Sequence, residues 1–265
     1  GGHDDQNKHI GHRLKTTFSA MKHRNYRLWF WGQLVSIFGT WMQMTAQGFL
    51  IYELTHSSVY LGLVGFAAGV PYWFFTLYGG VISDRISRRN LMIATQSAMM
   101  ILAFILAGLT FTGIVQPWHI LVLAFLTGVA NAFDAPARQA FVLDMVPRED
   151  LTNAVVLNGT MFNTSTMLGP AMGGLFYAIV GPAWCFTING ISYLAIIVGL
   201  FLMRIPKIEK TVRRTGALEE IREGIQYIRH HPVLLSIILM MAVGGLLGLD
   251  EVALEGRNRL LHQRT

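Results

Sequence analysis

Gly80-Val81-Ile82-Ser83-Asp84-Arg85-Ile86-Ser87-Arg88-Arg89 is the stretch that decides the fold. It places three arginines and one acid between two apolar runs, Ser58–Ser83 and Leu91–Gly113. Each run reaches the roughly 20 mainly apolar residues that a helix needs to cross a bilayer. A short basic loop between two such runs reads as a helical hairpin whose loop stays on one side of the membrane. Lipid offers no partners to backbone N–H and C=O groups, so the spans are helices and not open strands.

Working outward, five further segments join them: Tyr26–Tyr52, Trp118–Phe133, Thr152–Val180, Ala183–Met203 and Val233–Leu249. The fourth of the seven in chain order, Trp118–Phe133, is short, which leaves its end to be found further on. Pro71 and Pro170 fall inside two segments. Membrane helices tolerate this when neighbours satisfy the freed carbonyl. The connections alternate in charge. Glu53–Ser57, Ile114–Pro117 and Gly181–Pro182 contain no Lys or Arg, whereas the N-terminus, the second loop, the fourth (Arg138, Arg148) and the sixth (Arg204 to Arg229) are basic. The positive-inside rule then puts the N-terminus and the even-numbered loops in the cytoplasm of a bacterial inner-membrane protein.

Composition agrees. The chain is 52% hydrophobic and 14% charged, against about 25% charged in soluble domains. The net charge of +6 does not imply nucleic acid, because the basic residues sort by membrane side. Cys185 is the single cysteine and can form no internal disulfide. There is no phosphate loop, metal-ligand spacing or nucleophile–base pair, so no enzyme, cofactor or metal is expected. His3, His9, His12, His23, His230 and His231 read as solvated. No cleavable signal peptide is expected, and Gly1–His12 reads as disordered.

The expected organisation is a basic N-terminus (1–25), a six-helix bundle (26–203), a linker (204–232), a seventh helix (233–249) and a polar tail (250–265). In the linker, Leu218, Ile221, Ile225 and Ile228 recur at helical spacing, which predicts an amphipathic helix at the membrane surface. Arg257, Arg259 and Arg264 follow the seventh segment and would fall on the wrong side. The tail is therefore read as a truncation or frameshift, with a second half missing. The alternative is a seventh segment that does not span.

The loop at Gly80–Arg89 resembles the signature G-x-x-x-D-R-x-G-R-R between the second and third helices of the major facilitator superfamily, with Ser87 where the family usually has Gly. The resemblance implies a gating role for Gly80, Asp84, Arg85, Arg88 and Arg89, with Gly80 allowing close helix approach. Leu168-Gly169-Pro170-Ala171-Met172-Gly173-Gly174 resembles the fifth-helix motif of superfamily antiporters that exchange drugs or metabolites for protons. There Gly169, Pro170, Gly173 and Gly174 would shape the contact between two halves. Asn131-Ala132-Phe133-Asp134-Ala135-Pro136-Ala137-Arg138-Gln139-Ala140-Phe141, with Asp144 and Val146-Pro147-Arg148-Glu149-Asp150-Leu151, resembles the branch that includes the enterobactin exporter and macrolide efflux proteins. By resemblance, Asp134 and Arg138 join Asp84 in one cytoplasmic latch; the bland alternative is an exposed ion pair. The fold implied is all-α: the N-terminal bundle of the major facilitator fold plus the start of its second half.

The first helix carries Gln33, Ser36, Thr40, Gln43 and Gln47 at steps of three and four, a single polar stripe. Such a stripe faces a bundle interior or a wet cavity. A substrate cavity is expected there, with Asn131, Asn158 and Asn163 in its wall; the alternative is interhelical hydrogen bonding without a cavity. Trp41, Tyr72 and Trp73 would add aromatic surface or serve as packing and interfacial residues. No Asp or Glu is expected deep in the first six helices, with Asp84 and Asp134 at the cytoplasmic edge. The function expected is proton-coupled export of a small, partly apolar molecule (siderophore, macrolide or other metabolite) by alternating access. The partners are lipid, substrate, protons and the missing half or a second copy. The alternatives are a non-transporting fragment or membrane interaction subunit, and an import permease.

Overall fold

The computed structural model describes residues 19–204. The expectations for Gly1–His12, for most of the linker, for the seventh helix and for the tail lie outside them. Six helices account for nearly all of the described chain: α1 (Arg24–Thr55), α2 (Ser58–Arg85), α3 (Arg88–Phe111), α4 (Pro117–Met145), α5 (Leu151–Val180) and α6 (Pro182–Leu202). Short 3-10 turns at Ser19–Lys22 and Arg148–Asp150 precede α1 and α5. Among the described residues there is no strand. This is an all-α, multi-pass membrane bundle.

Local chemistry sets the helix ends. Pro117 opens α4 at a position where the missing N–H costs nothing. Gln116 and His119 complete a reciprocal cap there, with the Gln116 N–H donating to His119 Nδ1 at 2.9 Å. Gly181, at φ +81°, closes α5 by donating its N–H to the Tyr177 carbonyl at 2.9 Å, and Pro182 starts α6 at once. That φ favours glycine because it lacks a Cβ.

Five segments match their expected spans to within a few residues. The fourth does not. Instead of ending at Phe133, α4 runs on to Met145, straight through Pro136. The polar residues that seemed to end the span are absorbed by neighbouring helices, as described below. Pro136 has no N–H for the Ala132 carbonyl one turn back. Gly79 of α2 packs on that carbonyl, so close that a Cβ at position 79 would collide with it. The glycine's Cα hydrogens are left facing the freed oxygen, a weak but recurring contact between helices. Further along the same crossing, Gly128 of α4 packs on the Ala68 carbonyl and on Pro71 of α2.

α2, α3, α4 and α6 are long and apolar enough to cross a membrane by length and composition. α1 and α5, at 32 and 30 residues, are longer than several of these. Their glutamines and asparagines lower their hydropathy. The major packing pairs are α2 on α4, α1 on α5, α1 on α6, α3 on α4 and α3 on α6. Exchanging α1 with α4, α2 with α5 and α3 with α6 maps this set onto itself. The bundle is thus two three-helix units in a repeated arrangement.

The core is layered. One apolar cluster gathers Tyr26, Trp29, Met92, Phe141, Met145, Ala154 and Leu200. Another gathers Met42, Leu50, Ile51, Leu106, Ile120 and Phe186. Between them α1, α3, α4 and α6 contribute buried polar side chains, among them Gln33, Gln43, Gln96, Asp134, Asn189 and Ser192. Among the described residues, every Lys and Arg lies at, or within about two turns of, the end bearing the first cluster. This is the basic end.

Gly79→Ala is expected to destabilise the bundle by about 1–3 kcal/mol through overpacking. Gly80→Ala, with open space at its Cβ, is expected to be neutral or to stabilise by up to about 1 kcal/mol. Thermal unfolding of the two variants in detergent measures the contrast.

A candidate gating site at the basic end

Arg88 begins α3 and Asp144 nearly ends α4. Each charge sits at the helix end where the dipole disfavours it. They cancel each other: Arg88 Nη1 donates to both Asp144 carboxylate oxygens at 3.0 Å and to the Ala140 carbonyl at 3.1 Å. Arg88 Nη2 also reaches Asp84 Oδ1, more loosely, at 3.4 Å. The Asp84 side chain is 72% exposed. Arg89 donates to the Phe201 carbonyl at 3.1 Å, a cation at the C-terminal end of α6, where it is favoured. Arg85 is half-buried at the end of α2. The expected gating residues Asp84, Arg85, Arg88 and Arg89 therefore do gather at one end. Their main acidic partner, Asp144, was not singled out as a site residue in the sequence. Its spacing of ten from Asp134 carried no signal, because the two face different neighbours. Gly80 is not the close-approach residue; its neighbour Gly79 is.

Asp134 is a second and separate cluster. It was expected at the cytoplasmic edge, joined to Asp84. Instead it is fully buried, about three turns before the end of α4. Its Oδ1 accepts from Thr95 Oγ1 at 2.7 Å and from Gln96 Nε2 at 3.0 Å, both on α3. Arg138 Nε lies 3.7 Å from Oδ2, an ion pair without a hydrogen bond. The Arg138 guanidinium also stands 5.1 Å from the Phe162 ring centroid on α5, within cation–π range. The continuous helix through Pro136 puts residues 134 and 138 on one face. The reading as an exposed surface pair fails because Asp134 has no exposed surface.

The polar stripe of α1 is closed over inside the bundle. Gln33, Ser36, Gln43 and Gln47 are all buried, at 0–9% exposure. Gln43 Oε1 accepts from Asn189 Nδ2 on α6 at 2.7 Å, and Asn189 is held in turn by Ser192 and Tyr193. Thr40 donates to its own helix, at the Ser36 carbonyl. Within the described bundle Gln33, Ser36, Gln43 and Gln47 thus lie buried between helices, and Thr40 is half-buried. Among the other expected wall residues, Asn131 and Asn158 are half-buried and Asn163 is exposed. Trp73 is 80% exposed, whereas Trp41 packs against Gly169.

The glycine–proline motif has two faces. Gly169 and Gly173 seat α5 on α1: a Cβ at Gly173 would lie 2.9 Å from Thr45 Cβ and 3.1 Å from Met42 Cα. Pro170 is exposed, and Gly174 has open space where a Cβ would stand. Half the motif thus packs within the bundle and half faces away from it.

The start of the described chain is clipped to α5. The Ala20 N–H donates to Asn153 Oδ1 at 3.0 Å, Tyr26 Oη donates to the Ala154 carbonyl at 2.9 Å, and His23 Nε2 lies 2.7 Å from Asp150 Oδ2. His23 is therefore a paired residue and not simply a solvated one. A Ser19 hydrogen bond, then one from His23, hold the Asp150 carboxyl below the usual range. Desolvation opposes them, and the charges of His23 and Lys22 assist.

Asp134→Ala is expected to cost about 3–5 kcal/mol, because Arg138 keeps its charge and loses its partner. Asp84→Asn is expected to stay within about 0.5 kcal/mol. Gln43→Leu, which strands the buried Asn189 amide, is expected to cost about 1–3 kcal/mol. Thermal unfolding in detergent ranks all three. The Asp150 clip has a lowered folded-state pKa, so its stabilisation is present above about pH 4 and is lost as pH falls through the folded value. Limited proteolysis of Asp150→Asn should release the N-terminal turn faster than in the parent at neutral pH, with the difference vanishing in acid.

Residues 15–254 match the family described as transmembrane secretion effector. The chain is similar to the staphyloferrin A transporter of Staphylococcus aureus, at 27% identity over 213 residues, covering 78% of this chain and 53% of that protein. It is similar to macrolide efflux protein A of Streptococcus pyogenes, at 24% over 225 residues, 83% of this chain and 56% of the relative. Multidrug efflux pump Tap of Mycolicibacterium fortuitum is 24% identical over 226 residues, 81% and 55% of the two chains. The chain spans about half the length of the curated relatives it matches. With its six-helix bundle, its basic end and its match over nearly the whole chain, the protein belongs to the transmembrane secretion effector family of major facilitator transporters.

Proposed function

We propose that this chain supplies the N-terminal six-helix half of a proton-coupled exporter of small, partly apolar molecules. It sits in the bacterial inner membrane with its basic end in the cytoplasm. The relatives named above handle a siderophore, macrolides and drugs, and this chain is assigned to the same chemical range. Alternating access needs a second half that rocks against this one around a central path. That half comes from a further segment or from a second copy.

The observation that carries the reading is the unequal sharing of Arg88. Asp144 and the Ala140 carbonyl take its short hydrogen bonds, while Asp84 is exposed and only loosely held at 3.4 Å. Asp84 is thus the acid free to dock onto a basic group or helix N-terminus of the other half, closing the cytoplasmic side. Arg88, Asp144 and Arg89 brace the helix ends that present it. Asp134 and Arg138 act one layer deeper, holding α3, α4 and α5 in register as the gate moves. The exposed side chain of Asn163 and the half-buried Asn131 and Asn158 are assigned to the wall of the path, and the buried stripe from Gln33 to Gln47 supports that wall from within. Pro170 and Gly174 face the partner half.

The half-length match supports a second reading for the chain by itself: it inserts and folds but does not transport. Accumulation of a labelled macrolide in cells separates the two. The chain joined to a second half is expected to lower accumulation, an effect removed by a proton uncoupler. The chain alone should match empty-vector cells. In the joined protein Asp84→Asn should weaken export about tenfold or more, the worth of a charge-assisted hydrogen bond in the gate equilibrium. Normal export by that variant would refute the gate assignment.

A further inference from the structure

On α1, the face opposite the polar stripe is apolar and open. Trp31 and Val35 lie half a helical turn from Gln33 and are 58% and 50% exposed. Lipid is the solvent for such a face in a membrane bundle. Here it is not flat. α1 and α6 approach closely at Gly32 and Gly199: a Cβ at Gly32 would lie 3.3 Å from the Ala195 carbonyl oxygen, and one at Gly199 would lie 3.4 Å from that of Leu28. The missing side chains leave a furrow between the two helices. It forms a groove of about 580 Å³ walled by Trp31, Val35 and Val198, with Arg24 and Arg27 at its mouth.

The mouth is at the basic end. Arg24 and Arg27 are three apart, on one face of the first turn of α1, and both are exposed. Neither makes an ion pair with a described residue. Arg204 lines the neighbouring cleft together with Arg24. Asp150, at the same end, is taken by His23, and Asp144 and Asp84 by Arg88. Among the described residues the mouth therefore carries positive charge with no acid paired to it, at headgroup depth, and directly below it runs an apolar channel. Phosphate above and hydrocarbon below is the chemistry of one molecule class.

We propose that the α1–α6 groove is a binding site for an anionic phospholipid. Its phosphate is held by Arg24 and Arg27, and one acyl chain lies along Trp31, Val35 and Val198. Two arginines near the surface of an anionic leaflet each favour the charged lipid. Trp31 is placed where an amphipathic ring meets the headgroup region. The occupant bridges α1 and α6 at the end where Asn25 and Arg204 already clip them, through Asn25 Nδ2 to the Arg204 carbonyl at 2.9 Å and the Arg204 N–H to Asn25 Oδ1 at 3.2 Å.

Native mass spectrometry of the full chain tests this, with phosphatidylglycerol and phosphatidylcholine of identical acyl chains added in equal amounts. The parent should retain phosphatidylglycerol preferentially. The Arg24→Gln/Arg27→Gln double variant should lose that preference, by on the order of fivefold per arginine. Both arginines are exposed and make no ion pair with a described residue, so the variant should keep its helix content by circular dichroism. Val198→Trp, which fills the groove, should lower retention of both lipids. Equal retention of the two lipids by the parent, or a preference untouched by removing both arginines, would overturn the site. So would a lipid-free dimer that Val198→Trp dissociates, since a second copy would then be the occupant.

Discussion

The bundle depends on one constraint: a polar group inside a bilayer must find its partner within the protein. The layer from Gln43 and Asn189 to Gln96, Thr95 and Asp134 meets it in large part. Four helices contribute to that layer, and two apolar clusters lie on either side of it. Apolar side chains can slide past one another at little cost, whereas a hydrogen bond from Asn189 to Gln43 exists in only one register. The layer thus fixes where α1 stands against α6 and where α3 stands against α4. Some of its atoms, including both amide atoms of Gln33 and Oδ2 of Asp134, have no hydrogen-bond partner among the described residues. The layer therefore specifies position more than it adds stability.

Close approach completes what the layer begins. Without water to drive helices together, packing in lipid relies on shape, and small residues supply it. The α2–α4 crossing shows how the sequence elements cooperate. Pro136 frees the Ala132 carbonyl, and Gly79 has no side chain to keep α2 away from it. The α1–α5 crossing, its counterpart in the repeat, is built likewise, with Gly169 on Trp41 and Gly173 on Thr45. At the α1–α5 crossing both glycines come from α5, whereas at the α2–α4 crossing each helix contributes one, Gly79 and Gly128. α2 and α5 are also the helices with the fewest buried residues for their length, only Pro71, Gly79 and Ser83 in α2. They are anchored by a narrow seam and present broad apolar faces elsewhere.

At the basic end, electrostatics and topology use the same residues. Arg88 and Asp144 each oppose their own helix dipole, and pairing turns two local penalties into a tie between α3 and α4. Arg89 instead follows the dipole of α6. Arg24 and Arg27 have no acidic partner among the described residues at the start of α1, which is why that edge suits an anionic headgroup. Arginines that read as a single topological signal thus divide into braces within the bundle and contacts offered outside it.

The sequence by itself determined the number and order of the six helices and the gathering of the described basic residues at one end. Chain length at 1.5 Å per residue and the cost of burying charge leave little freedom there. It also singled out the loop at Gly80–Arg89 and the polar stripe, since both are patterns of period or spacing along one segment. The end of α4 was not legible. Asp134 and Arg138 look like a membrane boundary until Thr95, Gln96 and Phe162 from other helices are beside them. Nor could spacing tell Gly79 from Gly80, pair Arg88 with Asp144 across fifty-six residues, or say whether the stripe from Gln33 to Gln47 faces a cavity or Asn189. Those questions concern which surfaces meet. Only tertiary structure decides them, because a partner in lipid is defined by position in space and not by distance along the chain.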